Sequence, residues 1–200
     1  MDESLRSRKR LKRYNAILDA FTGELASKDA DRISIDEIAA RVDVSRATIF
    51  NYFDAKRDIV FAIANREIDS LEELAESLAA TDATPLAMIA EIAYRLVAVS
   101  FEAPMVAWRV LITVLEDPSR GDSPILRLSS MFEDLVRKGV DIGEFHADVE
   151  PGSCARSIVG TYFAELFHIS KQPDPNVRVD REEFDAIAEQ LVRKWVTTDE

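Results

Sequence analysis

Residues 42–60 read VDVSRATIFNYFDAKRDIV, and they set Ser45, Arg46, Thr48, Asn51 and Lys56 among Val44, Ile49, Phe50 and Phe53. The polar members share one chemistry, directional hydrogen bonding rather than bond making. Arg46 can donate two bonds to O6 and N7 of guanine, Asn51 can pair with adenine, and Thr48 can bond a phosphate or touch a thymine methyl. Lys56 can neutralise a phosphate. The same side chains also suit the solvent face of a helical hairpin in a bundle. Spacing alone leaves both readings open.

Either reading needs elements to hold these residues. Ser34-Ile-Asp-Glu37 has the form of a capping box and predicts a short helix with Ile35, Ile38, Ala39 and Val42 on one face. Asp43-Val44 is then the turn. Ser45 is the next N-cap, and its helix runs to about Phe53. Residues 34–53 thus have the size of a helix-turn-helix, with Ile38, Ala39, Val44 and Phe53 as its small core and Ser45, Arg46, Ala47 and Thr48 as an exposed first turn. A helix N-terminus there also favours a phosphate.

The rest of the chain reads as helix as well, about nine in all. Leu11, Tyr14, Ile17, Leu18, Phe21 and Leu25 form one stripe and predict a helix over 4–27. RSRKRLKR (6–13) lies ahead of the stripe, and its six basic residues suit either a solvated tail or an arm that tracks DNA. A long helix is expected from Asp54. Thr84-Pro85, Pro104 and Ser123-Pro124 open three more, the last closing at Gly139. Residues 151–170 are apolar, QPDPN (172–176) breaks the chain, and Asp180 and Glu183 cap a final helix.

Composition bounds the function. Two hundred residues, 47% apolar, can bury a core, and no run approaches the roughly 18 apolar residues of a membrane span. The net charge of -12 is uneven: residues 1–66 hold 13 basic and 11 acidic side chains, residues 67–200 hold 12 and 26. Counterion release depends on local contacts, so an acidic chain can still bind DNA at one end. His146, His168 and Cys154 are too few for a zinc site, and six scattered glycines form neither a P-loop nor a dinucleotide motif. No enzyme, metal or cofactor is expected. A basic start without an apolar run behind it, and a single cysteine, point to a reducing cytosol.

The stretch IDEIAARVDVSRATIFNYFDAKRDIV (35–60) resembles the TetR family of transcriptional regulators. The matching positions are Ile38, Ala39, Val44, Ser45, Thr48, Phe50, Tyr52, Phe53 and Lys56. Two depart: Asp43 stands where the family usually has Gly, and Phe50 where many members have Tyr. The resemblance implies DNA contacts at Ser45, Arg46, Ala47, Thr48, Asn51, Tyr52 and Lys56. It implies a DNA-binding domain over 1–60 and a helical ligand-binding and dimerisation domain over 61–200. A repressor of this kind is a homodimer on a palindromic operator, released by a small effector.

The second half offers compatible material. Tyr94, Phe101, Met105, Trp108, Met131, Phe132, Phe145, Tyr162 and Phe163 could line a mostly apolar cavity or be plain core. Arg95, Arg109 and Glu165 could orient a polar ligand group or face water. Phe163, Leu166 and Phe167, with Ile187, Leu191 and Trp195, would form a four-helix bundle with a second copy.

Overall fold

The computed structural model describes residues 2–117, 120–171, 181, 182, 184 and 194–196, with side chains from Arg6 onward. The architecture is all-α. Its helices are α1 (Asp2–Leu25), α2 (Ile35–Arg41), α3 (Arg46–Phe50), α4 (Lys56–Ala79), α5 (Pro85–Glu102), α6 (Pro104–Leu115), α7 (Pro124–Asp141) and α8 (Pro151–Ser170), with a 3-10 turn at Ala30–Arg32. The final helix expected after Asp180, the QPDPN break, and Ile187 and Leu191 lie outside the described residues. Among the described residues no single helix is long and apolar enough to cross a membrane.

Two compact units divide the chain between Arg66 and Glu67, inside α4, and residues 105–118 join the first. The first unit is built on α1. Its stripe buries Ile17, Leu18, Phe21 and Leu25 against Ile33, Ile35, Ile38, Ile49, Phe53, Ile59 and Val60, with Val106 of α6 at the edge. Leu11 departs from the expected stripe and is 60% exposed. Arg109 of α6 is a brace rather than a ligand group. Its guanidinium donates to Asp29 at 2.9 Å and to the Leu25 carbonyl at 2.6 Å.

The second unit packs α5, α7 and α8 around Ile92, Leu128, Phe132, Val136, Phe145 and Ile158. Its helices start as their sequences require. Thr84 accepts from the Ala87 N–H at 3.3 Å ahead of Pro85. Glu150 accepts from the Gly152 and Ser153 N–H groups ahead of Pro151. Arg127 reaches from α7 to Asp69 and Glu72 of α4, each at 2.7 Å.

Gly139 does not close α7. The helix continues to Asp141, and Gly143, at φ +78°, is the residue that turns the chain. Gly139 is instead a packing site. A Cβ there would lie 2.3 Å from two ring atoms of Phe145, a side chain only 1% exposed. The Phe145 segment pairs with the chain end: Phe145 bridges to Val196, and the His146 N–H donates to the Trp195 carbonyl at 2.8 Å.

Candidate nucleic-acid interface

α2 ends in hydrogen bonds that force the turn. The Val44 N–H donates to the Ala39 carbonyl at 3.0 Å and the Asp43 N–H to the Ala40 carbonyl at 3.4 Å. This is the Schellman arrangement, and it puts Asp43 in the left-handed region at φ 54°. Ser45 follows immediately in extended backbone. Its Oγ accepts from the Thr48 N–H at 3.1 Å and lies 2.9 Å from Thr48 Oγ1. The same motif opens α2, where Ser34 accepts from the Glu37 N–H at 3.4 Å, while the Glu37 carboxylate turns to Lys28.

α3 is shorter than the spacing predicts. It ends at Phe50 with Asn51 as its C-cap, and single turns carry the chain through Tyr52 and Phe53. Ile49 provides the buried anchor that pattern reading missed. Ser45, Arg46, Ala47 and Asn51 are exposed, and Thr48 is half-buried. The α3 surface thus presents Arg46, Ala47 and Asn51 outward while Ile49 holds it to the core.

Arg46 is already engaged. Its Nη1 donates to Asp36 at 2.9 Å, and its guanidinium lies 5.4 Å from the Phe50 ring centroid. Asp36 is a site residue that sequence reasoning missed, because ten positions of separation match no helical period. Lys56 donates to the Asp31 carbonyl at 2.7 Å, which leaves two of its three N–H donors for another acceptor. It follows Ala55, whose N–H is capped from Asp58 at 2.7 Å; the restart falls there rather than at Asp54. Tyr52 donates to the Arg10 carbonyl at 3.4 Å and sits 6.2 Å from the ring of Tyr14.

α1 and α2 are locked by ions. Glu24 accepts from Lys28 at 2.8 Å and from Arg41. Those two hydrogen bonds, Lys28 first, hold the Glu24 carboxyl below its ordinary value of 4.5. A lowered folded value means that its contribution to stability is complete above about pH 4.5 and is lost as pH falls toward the folded value. Glu24→Gln is therefore expected to flatten the loss of thermal stability below that pH, read from melting temperature against pH. An acid limb identical to the parent's would show that the lock contributes nothing.

Residues 17–63 match the sequence profile of the bacterial regulatory proteins of the tetR family. The matched stretch is similar to the DNA-binding region of that family. Solved structures of similar fold cover nearly all of the chain. FadR from Bacillus subtilis, in complex with stearoyl-CoA, superposes with a TM-score of 0.75 at 18% identity, over 90% of this chain and 98% of that one. AibR in complex with isovaleryl coenzyme A and operator DNA gives 0.62 at 22%, over 89% and 97%. A gamma-butyrolactone receptor gives 0.64 at 14%, over 94% and 90%. At these identities the likeness is one of fold. No curated protein matches the sequence.

The two departures from the TetR-family pattern now have a physical reading. Asp43 occupies the left-handed position that Gly occupies elsewhere, a conformation that Asp and Asn reach more easily than other side chains. Asp43→Gly is expected to leave stability equal or higher by up to about 1 kcal/mol, and Asp43→Val to lower it by about 1–2 kcal/mol. Urea denaturation gives the order; equal midpoints for all three would remove the strain argument. Phe50 is 40% exposed, so it is not core, and it serves as the platform under Arg46.

The expected ligand residues divide between the two units. Met105 and Trp108 belong to the first unit, while Tyr94, Phe101, Met131, Phe132 and Tyr162 belong to the second. Phe132 is fully buried core. Met131 and Phe163 pack on the same core. Tyr94 lies edge-on to Phe184, under the Arg181 guanidinium at 4.2 Å. The Tyr162 hydroxyl meets Ser100 Oγ at 3.0 Å, and burial pushes its pKa up. Ser100 in turn donates to the Leu96 carbonyl. Among the expected dimer residues, Leu166 is 1% exposed within its own chain, whereas Phe167 is 50% exposed. Trp195 packs partly on the second unit's core. Among the described residues no group of His, Cys, Asp or Glu could hold a metal ion.

Proposed function

We propose that this chain is a TetR-family DNA-binding regulator, a homodimeric repressor that reads a palindromic operator with Ser45, Arg46, Ala47, Thr48, Asn51, Tyr52 and Lys56, and leaves it on binding a small, mostly apolar effector. Residues 1–60 carry the first task and 61–200 the second. The observation that carries the reading is the exposed first turn of α3, capped by Ser45 and anchored by Ile49, within the region that matches the family profile. AibR, of similar fold, is bound to operator DNA, which supports the DNA role.

A second copy fits α8 on the stripe Ser157, Gly160, Ala164 and Phe167, which is exposed and recurs at helical spacing. A two-fold dimer then sets two α3 helices one helical turn of DNA apart, or a multiple of it. For the effector, the Tyr162 and Ser100 hydroxyls offer one polar point among apolar walls. The acidic balance of residues 67–200, 12 basic against 26 acidic side chains, works against a polyanionic coenzyme A headgroup and favours a neutral ligand such as a lactone. α4 belongs to both units and gives ligand binding a route to α3. A ligand that prefers one spacing of the α3 pair shifts operator affinity, by about 5 to 150-fold for a coupling of about 1–3 kcal/mol.

The test is selection of bound fragments from a random DNA pool, followed by displacement with acyl-CoA thioesters and with neutral lactones. A recovered palindrome supports the reading. Absence of enrichment, with and without those ligands, overturns it.

A further inference from the structure

We propose that residues 6–13 of α1 form a rigid cationic rod that grips the DNA backbone flanking the site read by α3; the inference rests on the DNA-binding role of α3. The segment is helix, continuous with the rest of α1, so it is not an extended arm that follows the minor groove. Arg6, Arg8, Lys9, Arg10, Lys12 and Arg13 are all exposed, and no carboxylate lies among them.

This helix is electrostatically unfavourable by itself. Arg6 and Arg10, Arg8 and Lys12, and Lys9 and Arg13 are three like-charge pairs at i, i+4. They stand in the first half of the helix, toward the positive end of its dipole. A polyanion relieves both terms at once.

The root of the rod is fixed to the reading element. The Arg10 carbonyl accepts from the Tyr52 hydroxyl at 3.4 Å, and the Arg10 guanidinium lies 5.8 Å from the Tyr52 ring centroid. Tyr14 stacks on Phe53 at 5.2 Å. Tyr52 and Phe53 directly follow α3, so the rod and α3 are held in one register. Leu11 is the only apolar residue in 6–13, too little apolar surface to insert into a lipid bilayer. It suits phosphates, which position a protein without reporting sequence.

The experiment uses the full chain and its selected operator. The variant R8Q/K9Q/K12Q/R13Q is expected to select the same palindrome with a shallower salt dependence, by about 0.9 in the slope of log affinity against log salt for each phosphate released. Its hydroxyl-radical footprint is expected to lose the flanks and keep the centre. The charge-preserving variant R8K/K9R/K12R/R13K is expected to keep the parent's slope and footprint. An unchanged slope in the neutral variant, or a loss equal in both variants, overturns the rod. Binding to anionic vesicles together with an unchanged DNA slope overturns it in favour of a lipid surface. If the parent selects no operator, the reading of α3 fails instead, and the slopes of parent and variant on random duplex then decide the rod separately.

Discussion

Arg46→Ala is expected to abolish selection of the operator while leaving the fold intact. Arg46 is exposed in the first turn of α3, and the loss of a bidentate base contact weakens each half-site by about 1–3 kcal/mol. A dimer loses it twice. The fold survives because the interactions removed among the described residues are an exposed ion pair with Asp36 and a stack on Phe50. Such a pair contributes about 0–1 kcal/mol. Asp36→Asn acts in the opposite direction. It removes a carboxylate that competes with DNA for the guanidinium, so affinity is expected to rise by up to about fivefold for a pair of that strength. Gel-shift titrations at one salt concentration measure both. Recovery of the same palindrome by the Arg46→Ala protein would remove Arg46 from the reading surface.

The second large effect concerns Gly139 and Phe145. Phe145→Ala removes a buried ring and is expected to destabilise by about 3–5 kcal/mol. Gly139→Ala pushes a methyl group to 2.3 Å from that ring, which its burial prevents from swinging aside. Overpacking of this kind destabilises by about 1–3 kcal/mol, partly offset by up to about 1 kcal/mol of helix propensity. In the Phe145→Ala background the clash is gone, and Gly139→Ala is expected to be neutral or stabilising. The sign of one substitution thus depends on the other. Denaturant unfolding of the four proteins measures the cycle, and additive effects would show that Phe145 does not fill the space above Gly139.

Gly139 also shows where pattern reading stops. A glycine near the end of an apolar stripe has the form of a helix terminator, and only the position of Phe145 gives it a different role. Leu166 is similar. Its place on an apolar face suits an interface, but its own subunit covers it, and burial within a chain cannot be told from burial between chains by periodicity. Phe132 was open between cavity wall and core for the same reason, and packing placed it in the core.

What the chain determined alone is local. Ser34, Ser45 and Thr84 cap the helices that follow them because a hydroxyl within three residues of free N–H groups needs no distant partner. The stripe of α1, the turn at Asp43 and the exposure of Arg46 follow from neighbours a few positions apart. Tertiary structure decided the contacts between remote segments: Asp36 on Arg46, Arg10 on Tyr52, Arg41 on Glu24, Asp31 on Lys56 and Phe145 over Gly139. These pairs are separated by from 6 to 42 positions and share no helical period. They come together because burial of Ile17, Phe21, Ile38 and Ile49 in one core, and of Phe132 and Phe145 in the other, fixes which surfaces meet.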